Sequence, residues 1–371
     1  MNKKVPVVLV VLSLLHFSVD YFCASSLLMQ YVLSDLNFSS LAIVLIVYNA
    51  FAFLLQPLFG FIVDKIGNDN YKLQKKILCL SLLLLTAIAT LIIVYTLFGS
   101  ISLFFAFVVA ILLGLGNAFF HSSAGKQVLR YSNNSTFGGI FVSTGAIGIG
   151  LATIIPVINS ISMIYITFII VLVITLISLN MYKKVSLDLS ETKYTTFSFK
   201  SLKESILVIS LICLAVGVRS FLGYYNSLSS DISTWNTIFL VSFAAFIGKA
   251  IGGVLLDLAG PFFVVTISSI LSTVLSIFLR SIYVDYVYIL SFNLLMPVTL
   301  DMLRRCFENK EGFAFGLAAS FLFPGYILGR ILKPYGIKEI IIPIICLLTG
   351  VIIIVCYILT SKNKKEIKNE Y

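Results

Sequence analysis

The sequence predicts an all-α membrane protein with twelve transmembrane helices in two halves of six. Three observations support this prediction: the composition, the number of long apolar runs, and a motif that occurs twice. Of the 371 residues, 59% are hydrophobic and 11% are charged, and the mean hydropathy is +1.06. A surface so poor in polar groups has to face lipid rather than water.

Twelve apolar runs are long enough to cross a bilayer, which takes about 20 residues per helix. The first follows Lys3 and Lys4 as a secretory signal would, but it is too long for a signal core and is interrupted by His16 and Asp20. We therefore interpret it as a transmembrane helix. The runs begin near Val5, Ser39, Lys76, Ile101, Ser135, Ser160, Glu204, Ile232, Pro261, Val284, Glu311 and Gly336.

A single long polar connection divides the runs six and six. It has two aspartate or glutamate residues and a Thr/Ser-rich middle, as expected of a linker between domains. The predicted organisation is an N-terminal half at residues 1–182, a cytoplasmic linker at 183–203, a C-terminal half at 204–360 and a cytoplasmic tail at 361–371.

Basic residues fall mostly on one side of the predicted membrane. With the N-terminus in the cytoplasm, all but six of the 26 Lys and Arg residues lie on cytoplasmic segments. The positive-inside rule then predicts a multi-pass protein of the cell membrane with both termini in the cytoplasm. Contact with anionic headgroups of the lipid bilayer accounts for the net charge of +10, so no nucleic-acid partner is expected. The six exceptions are Arg219, Lys249, Arg280, Arg330, Lys333 and Lys338.

One motif occurs twice, each time directly after a long apolar run. Both copies have the spacing Gly-x-x-x-Asp-x-x-Gly, and the second lies 193 residues after the first. Duplicated halves around a central site are common in secondary transporters. The repeated residues are Gly60, Asp64 and Gly67 in the first copy and Gly253, Asp257 and Gly260 in the second.

We expect the two aspartates to act as latches between the halves. An interaction of Asp64 with a basic residue or a helix N-terminus across the seam would hold one conformation shut and break in the other. Lys65 follows the first aspartate, whereas Leu258 follows Asp257, so the second latch is expected to be weaker. The alternative is that both aspartates are ordinary solvated turn charges.

A second alignment of the halves uses an offset of 177 residues. Small residues are common at helix contacts, so this match can also arise by chance. It superposes Gly139 on Gly316, Ser143 on Ser320 and Gly148 on Gly325.

A histidine and an aspartate interrupt the first run near its middle. His16 and Asp20 are four residues apart and so share one helix face. At about 1.5 Å per residue, His16 lies roughly 16 Å from the start of the run at Val5. A carboxylate beside an imidazole at that depth could bind and release a proton. The alternative is a hydrogen-bonded structural pair.

The seventh run carries an arginine. Counted from the cytoplasmic end of its run, Arg219 matches the position of His16 in the first half. Its charge would attract an anionic substrate group, or pair with Asp20 when the site is empty. Tyr224, on its C-terminal side, could add a hydroxyl or a stacking face. Snorkelling near the outer surface is the alternative for Arg219.

Two further charged residues lie within the apolar runs of the second half. Lys249 and Asp301 are placed toward the cytoplasmic ends of the eighth and tenth runs. We interpret both as gate or surface residues rather than as ligands of the substrate.

The motif Gly60-x-x-x-Asp64-Lys65-x-Gly67 and its second copy resemble the signature of the major facilitator superfamily, over essentially the whole chain. Within it, three segments are similar to the fosmidomycin-resistance group of exporters. In the superfamily the first and fourth helices line a central cavity, so the resemblance implies that Asn117 and His121 lie there with His16 and Asp20. The three segments are His16-Phe17-x-x-Asp20, Gln56-Pro57-Leu58-Phe59-Gly60 and Gly114-Leu115-Gly116-Asn117-Ala118-Phe119-Phe120-His121.

Two departures from the superfamily leave antiport open. The fourth run has Ala110 where many members carry an arginine tied to proton coupling. The fifth run lacks the Gly-Pro step typical of antiporters, and its proline comes later, at Pro156.

The functional hypothesis is a secondary transporter that exports a small amphipathic or anionic compound by alternating access, coupled to protons. Proton-coupled uptake of an anionic nutrient is the first alternative; a membrane receptor or scaffold, or an intramembrane enzyme with a metal, is more distant. We expect no enzyme activity, no cofactor, no bound metal, and a monomer. The predicted substrate- or proton-binding residues are His16, Asp20, Asn117, His121, Arg219 and Tyr224.

Overall fold

The computed structural model describes ten stretches of the chain, and every regular element within them is helical. The predicted helix starts at Ile101 and Ile232, and linker residues 185–194, lie outside the described residues. The described ranges are 4–32, 38–67, 71–98, 102–132, 134–154, 160–184, 195–226, 235–278, 282–336 and 340–369.

The helices of the first half follow the apolar runs of the sequence. The second run is divided at Leu55, because Pro57 has no N–H for the carbonyl four residues earlier. The helices are α1 (Lys4–Val32), α2 (Phe38–Leu54), α3 (Gln56–Gly67), α4 (Tyr71–Phe98), α5 (Leu103–Tyr131), α6 (Ser135–Thr153) and α7 (Ile161–Lys184).

The second half shows the same interruption twice. Pro297 and Pro324 each lie shortly after a break, at Leu294 and Phe321. The helices are α8 (Leu202–Asn226), α9 (Trp235–Ile277), α10 (Ile282–Asn293), α11 (Leu295–Cys306), α12 (Glu311–Ser320), α13 (Leu322–Leu332), a 3₁₀ turn (Lys333–Tyr335) and α14 (Ile341–Asn369), which continues into the predicted tail.

The number of membrane spans depends on one glycine. Within the described residues, eleven helices are long and apolar enough to cross a membrane, and one of them runs for 41 residues from Thr237 to Ile277. A straight helix of that length would measure about 60 Å, twice the hydrocarbon core of a bilayer. However, Gly260 inside it has φ 79° and ψ 169°, and Pro261 follows. Two spans therefore meet at Gly260, which is consistent with the predicted total of twelve.

Two equivalent helix pairs join the halves. In one, α3 packs against α12, and a Cβ on Gly60 would fall on the Gly312 carbonyl. In the other, α9 packs against α6, and a Cβ on Gly253 would lie 2.8 Å from the Ser135 carbonyl oxygen. Glycine is needed at both positions for the backbones to approach so closely. The offsets of 193 residues between the glycines and 177 between Ser135 and Gly312 agree with the two sequence alignments.

The packing corrects the position assigned to Arg219 within the repeat. A Cβ on Gly148 would contact the Phe17 carbonyl, and one on its counterpart Gly325 would contact the Gly217 carbonyl, so α1 and α8 are related by an offset of 200 residues. Arg219 is then the counterpart of Val19, not of His16. Counting inward from the run ends was wrong because α1 and α8 extend by different lengths toward the cytoplasm.

Candidate functional site

The two histidines of the chain meet one aspartate between α1 and α5. His16 and Asp20 lie on α1, and the Nε2 and Oδ2 atoms of this pair are 3.2 Å apart. His121 on α5 places its Nε2 3.5 Å from Asp20 Oδ1 and 2.8 Å from His16 Nε2. Both histidines are buried, at 5% and 8% exposure. The predicted grouping of these three residues agrees with the structure.

Backbone carbonyls fix the tautomer of both imidazoles. His16 Nδ1 lies 2.5 Å from the Phe141 carbonyl oxygen on α6, and His121 Nδ1 lies 3.0 Å from the Asn117 carbonyl oxygen one turn earlier on α5. A carbonyl only accepts, so each Nδ1 carries the hydrogen and donates it. In their neutral forms both rings therefore present a bare Nε2 toward each other and toward the Asp20 carboxylate. Three acceptors converge, and a bound cation is needed to satisfy them.

The geometry distinguishes a proton from a metal ion at this point. His16, Asp20 and His121 each offer one ligand atom, and all three atoms lie within 4.8 Å, so the group could hold a metal ion. Two imidazole ligands on a tetrahedral zinc would be about 3.3 Å apart, from bonds of about 2.0–2.1 Å. The observed 2.8 Å between the two Nε2 atoms is a hydrogen-bond distance and suits a shared proton better.

Asn117 and Gly145 complete the surroundings of the carboxylate. Asn117 Nδ2 donates to Asp20 Oδ1 at 3.3 Å and also approaches Cys23 Sγ at 3.7 Å. Gly145 on α6 faces the site so closely that a Cβ there would fall on Asp20 and lie 2.6 Å from His16 Nε2. The predicted role of Asn117 beside the histidines fits this placement, while Gly145 was not identified from the sequence as part of the site.

The second half brings a lysine to the same region of α6. Lys249 on α9 donates to the Val142 carbonyl at 3.4 Å, and the neighbouring carbonyl of Phe141 accepts from His16. The charges of both Asp20 and Arg219 act on Lys249. We had interpreted Lys249 as a gate or surface residue, but its side chain is directed to the helix that also positions the histidine pair.

Arg219 is buried without an acidic partner in the described part of the chain. It is 7% exposed on α8, and its Nε makes no hydrogen bond to any described residue. This burial argues against snorkelling to the outer surface. Tyr224 does not join the histidine group. Its ring lies 5.1 Å from that of Tyr326 on α13, and Lys333 Nζ lies 5.6 Å from its centroid.

The first repeated aspartate caps a helix of the opposite half. Asp64 accepts from the backbone N–H of Gly312 at 3.0 Å and of Phe313 at 2.8 Å, at the N-terminus of α12. Its basic partner is Lys126 on α5, 3.4 Å away and fully buried. Lys65 is exposed, so the lysine within the motif is not the one that pairs with Asp64.

The second aspartate makes the equivalent cap. Asp257 accepts from the backbone N–H of Ser135 and of Thr136, each at 2.8 Å, at the N-terminus of α6. The Thr136 hydroxyl donates to it as well, at 2.5 Å. Asp257 is exposed, and none of its printed hydrogen bonds involves a cation of the described residues. Both aspartates therefore join the halves at the predicted cytoplasmic end.

Further charged contacts close the same end. Arg130 on α5 lies 3.7 Å from Glu311 on α12. Arg304 on α11 donates to the carbonyls of Leu129 and Ser132 at 3.2 and 2.8 Å, and is held by Asp301 at 2.8 Å. Asp301 thus belongs to the seam, in line with its interpretation as a gate residue.

A comparison with protein families decides the identity of the fold. The family description "Major Facilitator Superfamily" matches residues 9–300, more than half of the chain. The chain belongs to the major facilitator superfamily. This confirms the predicted superfamily and all-α membrane fold, and it points to a transporter rather than an enzyme. The narrower resemblance to fosmidomycin-resistance exporters stays a prediction.

Solved structures of superfamily transporters resemble the chain over almost its whole length. The human organic anion transporter MFSD10 is 14% identical with a TM-score of 0.65, and the match covers 97% of this chain and 100% of that one. A variant of the E. coli fucose:proton symporter FucP is 14% identical with a TM-score of 0.59 over 96% and 98%. A bacterial homologue of the iron transporter ferroportin is 10% identical with a TM-score of 0.61 over 97% and 99%. No curated protein sequence matches the chain. At these identities the likeness shows the fold alone.

Proposed function

We propose that this superfamily member is a proton-coupled secondary transporter in which Asp20, His16 and His121 bind the proton. The observation that carries the proposal is the convergence of two bare Nε2 atoms on one carboxylate, with both Nδ1 hydrogens already donated. Such a group is unsatisfied when empty and satisfied by one proton. Ionisable residues within transmembrane helices are typical of proton pathways. Asn117 orients the carboxylate.

Alternating access follows from the contacts between the halves. We propose that residues 1–182 and 204–360 move against each other, with 183–203 as the linker and 361–371 as the tail. The caps at Asp64 and Asp257 would hold the cytoplasmic end shut and break when it opens. Each cap is a set of hydrogen bonds at a helix N-terminus, which can be lost and remade without disturbing either helix. Both termini lie in the cytoplasm in this arrangement, and the protein acts as a monomer.

Export of a small amphipathic or anionic compound is the direction we propose. It rests on the resemblance of the first, second and fourth helices to the fosmidomycin-resistance exporters. Arg219 and Tyr224 are the proposed substrate contacts. MFSD10, described as an organic anion transporter, and FucP, described as a fucose:proton symporter, have the same fold and support this choice of cargo and coupling ion by analogy.

Uptake of an anion together with a proton is the second candidate, and one observation favours it. The charge of Asp20 reaches Lys249, which also experiences that of Arg219. An anion placed beside these cations would be repelled by ionised Asp20 and accepted more readily once Asp20 is protonated. Proton and anion would then favour each other's binding, as symport requires.

A flux measurement in proteoliposomes tests proton coupling. Compounds that raise the thermal stability of the purified protein serve as substrates, because ligands of the folded state stabilise it. We expect an imposed pH gradient to drive their transport and Asp20→Asn to abolish this drive. Glu308→Gln, which removes an exposed carboxylate outside the site, should transport normally. The sign of flux relative to the gradient separates export from uptake, and undiminished drive in Asp20→Asn would remove Asp20 from the mechanism.

A further inference from the structure

Two cations of the second half lie close to the seam without a carboxylate of their own. Arg219 has no salt bridge to any described acid, and its Nε lacks an acceptor among the described residues. Lys249 donates to one backbone carbonyl, that of Val142. A buried cation without a counter-ion destabilises the fold. The arrangement therefore points to a ligand that supplies negative charge.

The nearby carboxylate is already occupied. Asp20 lies within 3.5 Å of both histidine Nε2 atoms and accepts a hydrogen bond from Asn117. Its charge acts on Lys249, but the two residues form no salt bridge. Because Lys249 Nζ contacts α6 of the first half, an anion beside it would lie between the two halves, where an alternating-access transporter holds its cargo.

Aromatic and basic side chains continue from Arg219 along the second half. Tyr224 is five residues after Arg219 on α8, about 7.5 Å further along the helix. Its ring meets that of Tyr326 edge to face at 5.1 Å, and Arg330 donates to the Tyr326 hydroxyl at 3.2 Å. Lys333 lies over the Tyr224 ring. Positive charge and aromatic faces together suit an anion with an apolar body.

We propose that Arg219 and Lys249 form a subsite for the carboxylate of a small organic anion, with Tyr224 and Tyr326 beside its apolar part. This inference rests on the proposed transport function and names its substrate class. Arginine presents a planar fork that matches a carboxylate in two hydrogen bonds, and lysine adds a point charge from the neighbouring helix. The first half then holds the proton and the second half holds the anion.

Charge-matched probes test the subsite on the purified full chain. Benzoate is compared with benzamide, and glutarate with glutaramide, which replace each carboxylate by an uncharged group of similar shape. We expect the carboxylates to raise the midpoint of thermal unfolding at concentrations at least tenfold lower than the amides. Equal effects of acid and amide on the wild-type protein would overturn the proposal.

Matched variants assign the effect to the two cations. Arg219→Gln and Lys249→Gln should each raise the carboxylate concentration for half effect at least tenfold, while Lys203→Gln, an exposed lysine at the start of α8, should change it less than twofold. Without ligand, Arg219→Gln should unfold at or above the wild-type midpoint, since no described partner is lost. Unchanged binding in Arg219→Gln, or a lower midpoint without ligand, would contradict the subsite.

The two proposals can fail separately. Binding of benzoate in detergent needs no pH gradient, and we expect Asp20→Asn to retain it. Retained binding with no gradient-driven flux would remove the proton coupling and leave the subsite. Gradient-driven flux of a compound whose transport is unaffected by Arg219→Gln would remove the subsite and leave the coupling.

Discussion

His16 Nε2 and His121 Nε2 lie 2.8 Å apart, although the two residues are 105 positions apart in the chain. Because both rings donate through Nδ1 to backbone carbonyls, this contact can be a hydrogen bond only when one proton is added. The pair therefore reports directly on the occupancy of the proposed proton site.

The imidazole tautomers can be observed without a known substrate. The chain has only two histidines, so histidine labelled with ¹⁵N gives signals from this site alone. We expect both neutral rings to carry hydrogen on Nδ1, and acidification to add one proton shared between the Nε2 atoms. His121→Gln and His16→Gln each remove one set of signals and assign the other. Hydrogen on Nε2 of both neutral rings would contradict the proposed site.

Asp64→Asn is expected to weaken closure of the cytoplasmic end. The change leaves Lys126 buried without its counter-ion, which costs about 3 kcal/mol, or roughly a hundredfold in the ratio of closed to open forms. Spin labels at Lys65→Cys and Lys310→Cys, in a chain without its native cysteines, flank the α3–α12 contact. Their distance distribution should broaden toward longer separations in the variant.

Asp257→Asn should have a smaller effect on the same distance distribution. Asp257 is exposed and caps α6 without a buried lysine, so the loss is about 1 kcal/mol, as for an ordinary helix cap. The sequence predicted this inequality from Leu258. The structure relates it instead to Lys126, which pairs with the first aspartate. Equal effects of the two variants would show that the latches are equivalent.

Gly60→Ala is expected to disrupt the seam between α3 and α12. The added methyl group would fall on the backbone of Gly312, so the two helices would have to separate. Gly223→Ala is the matched control, because a Cβ there meets nothing within 4 Å and alanine favours the helix by about 1 kcal/mol. Thermal unfolding should show a lower midpoint for the first variant only. A wild-type midpoint in Gly60→Ala would mean that the close approach is dispensable.

Gly145→Ala is expected to damage the proton site while leaving the fold intact. Its methyl group would overlap the Asp20 carboxylate and displace His16. Gly138→Ala, on the same helix with its nearest neighbour 3.9 Å away, serves as the control. In proteoliposomes, gradient-driven flux should fall at least tenfold in Gly145→Ala alone, with similar amounts of folded protein. Normal flux would show that α6 tolerates a side chain at this point.

The sequence predicted the fold and the main groups of the candidate site, because hydropathy and spacing act locally. The i, i+4 relation placed His16 and Asp20 on one face, and the repeat located both helix caps. The partner of Asp64 could not be read in this way. Lys126 lies 62 residues later in the chain, and only packing brings it to the motif.

The central lysine was misjudged for a related reason. Depth in the membrane was counted from run ends, and run ends vary by a turn or more between equivalent helices. Contacts between glycines and facing carbonyls supplied the true register. They align Gln56 with Lys249, since Gly316 meets the carbonyl of one and Gly139 that of the other. The structure thus shows a cation at a position where the first half has a neutral amide.

The turn at Gly260 has a mechanical consequence. A single residue outside helical geometry, followed directly by Pro261, joins the span that carries Lys249 and Asp257 to the next span. One peptide unit gives no slack, so a displacement of the first span is transmitted to the second at once. The two spans form a rigid hairpin, and a movement that frees Asp257 from α6 has to carry both of them together.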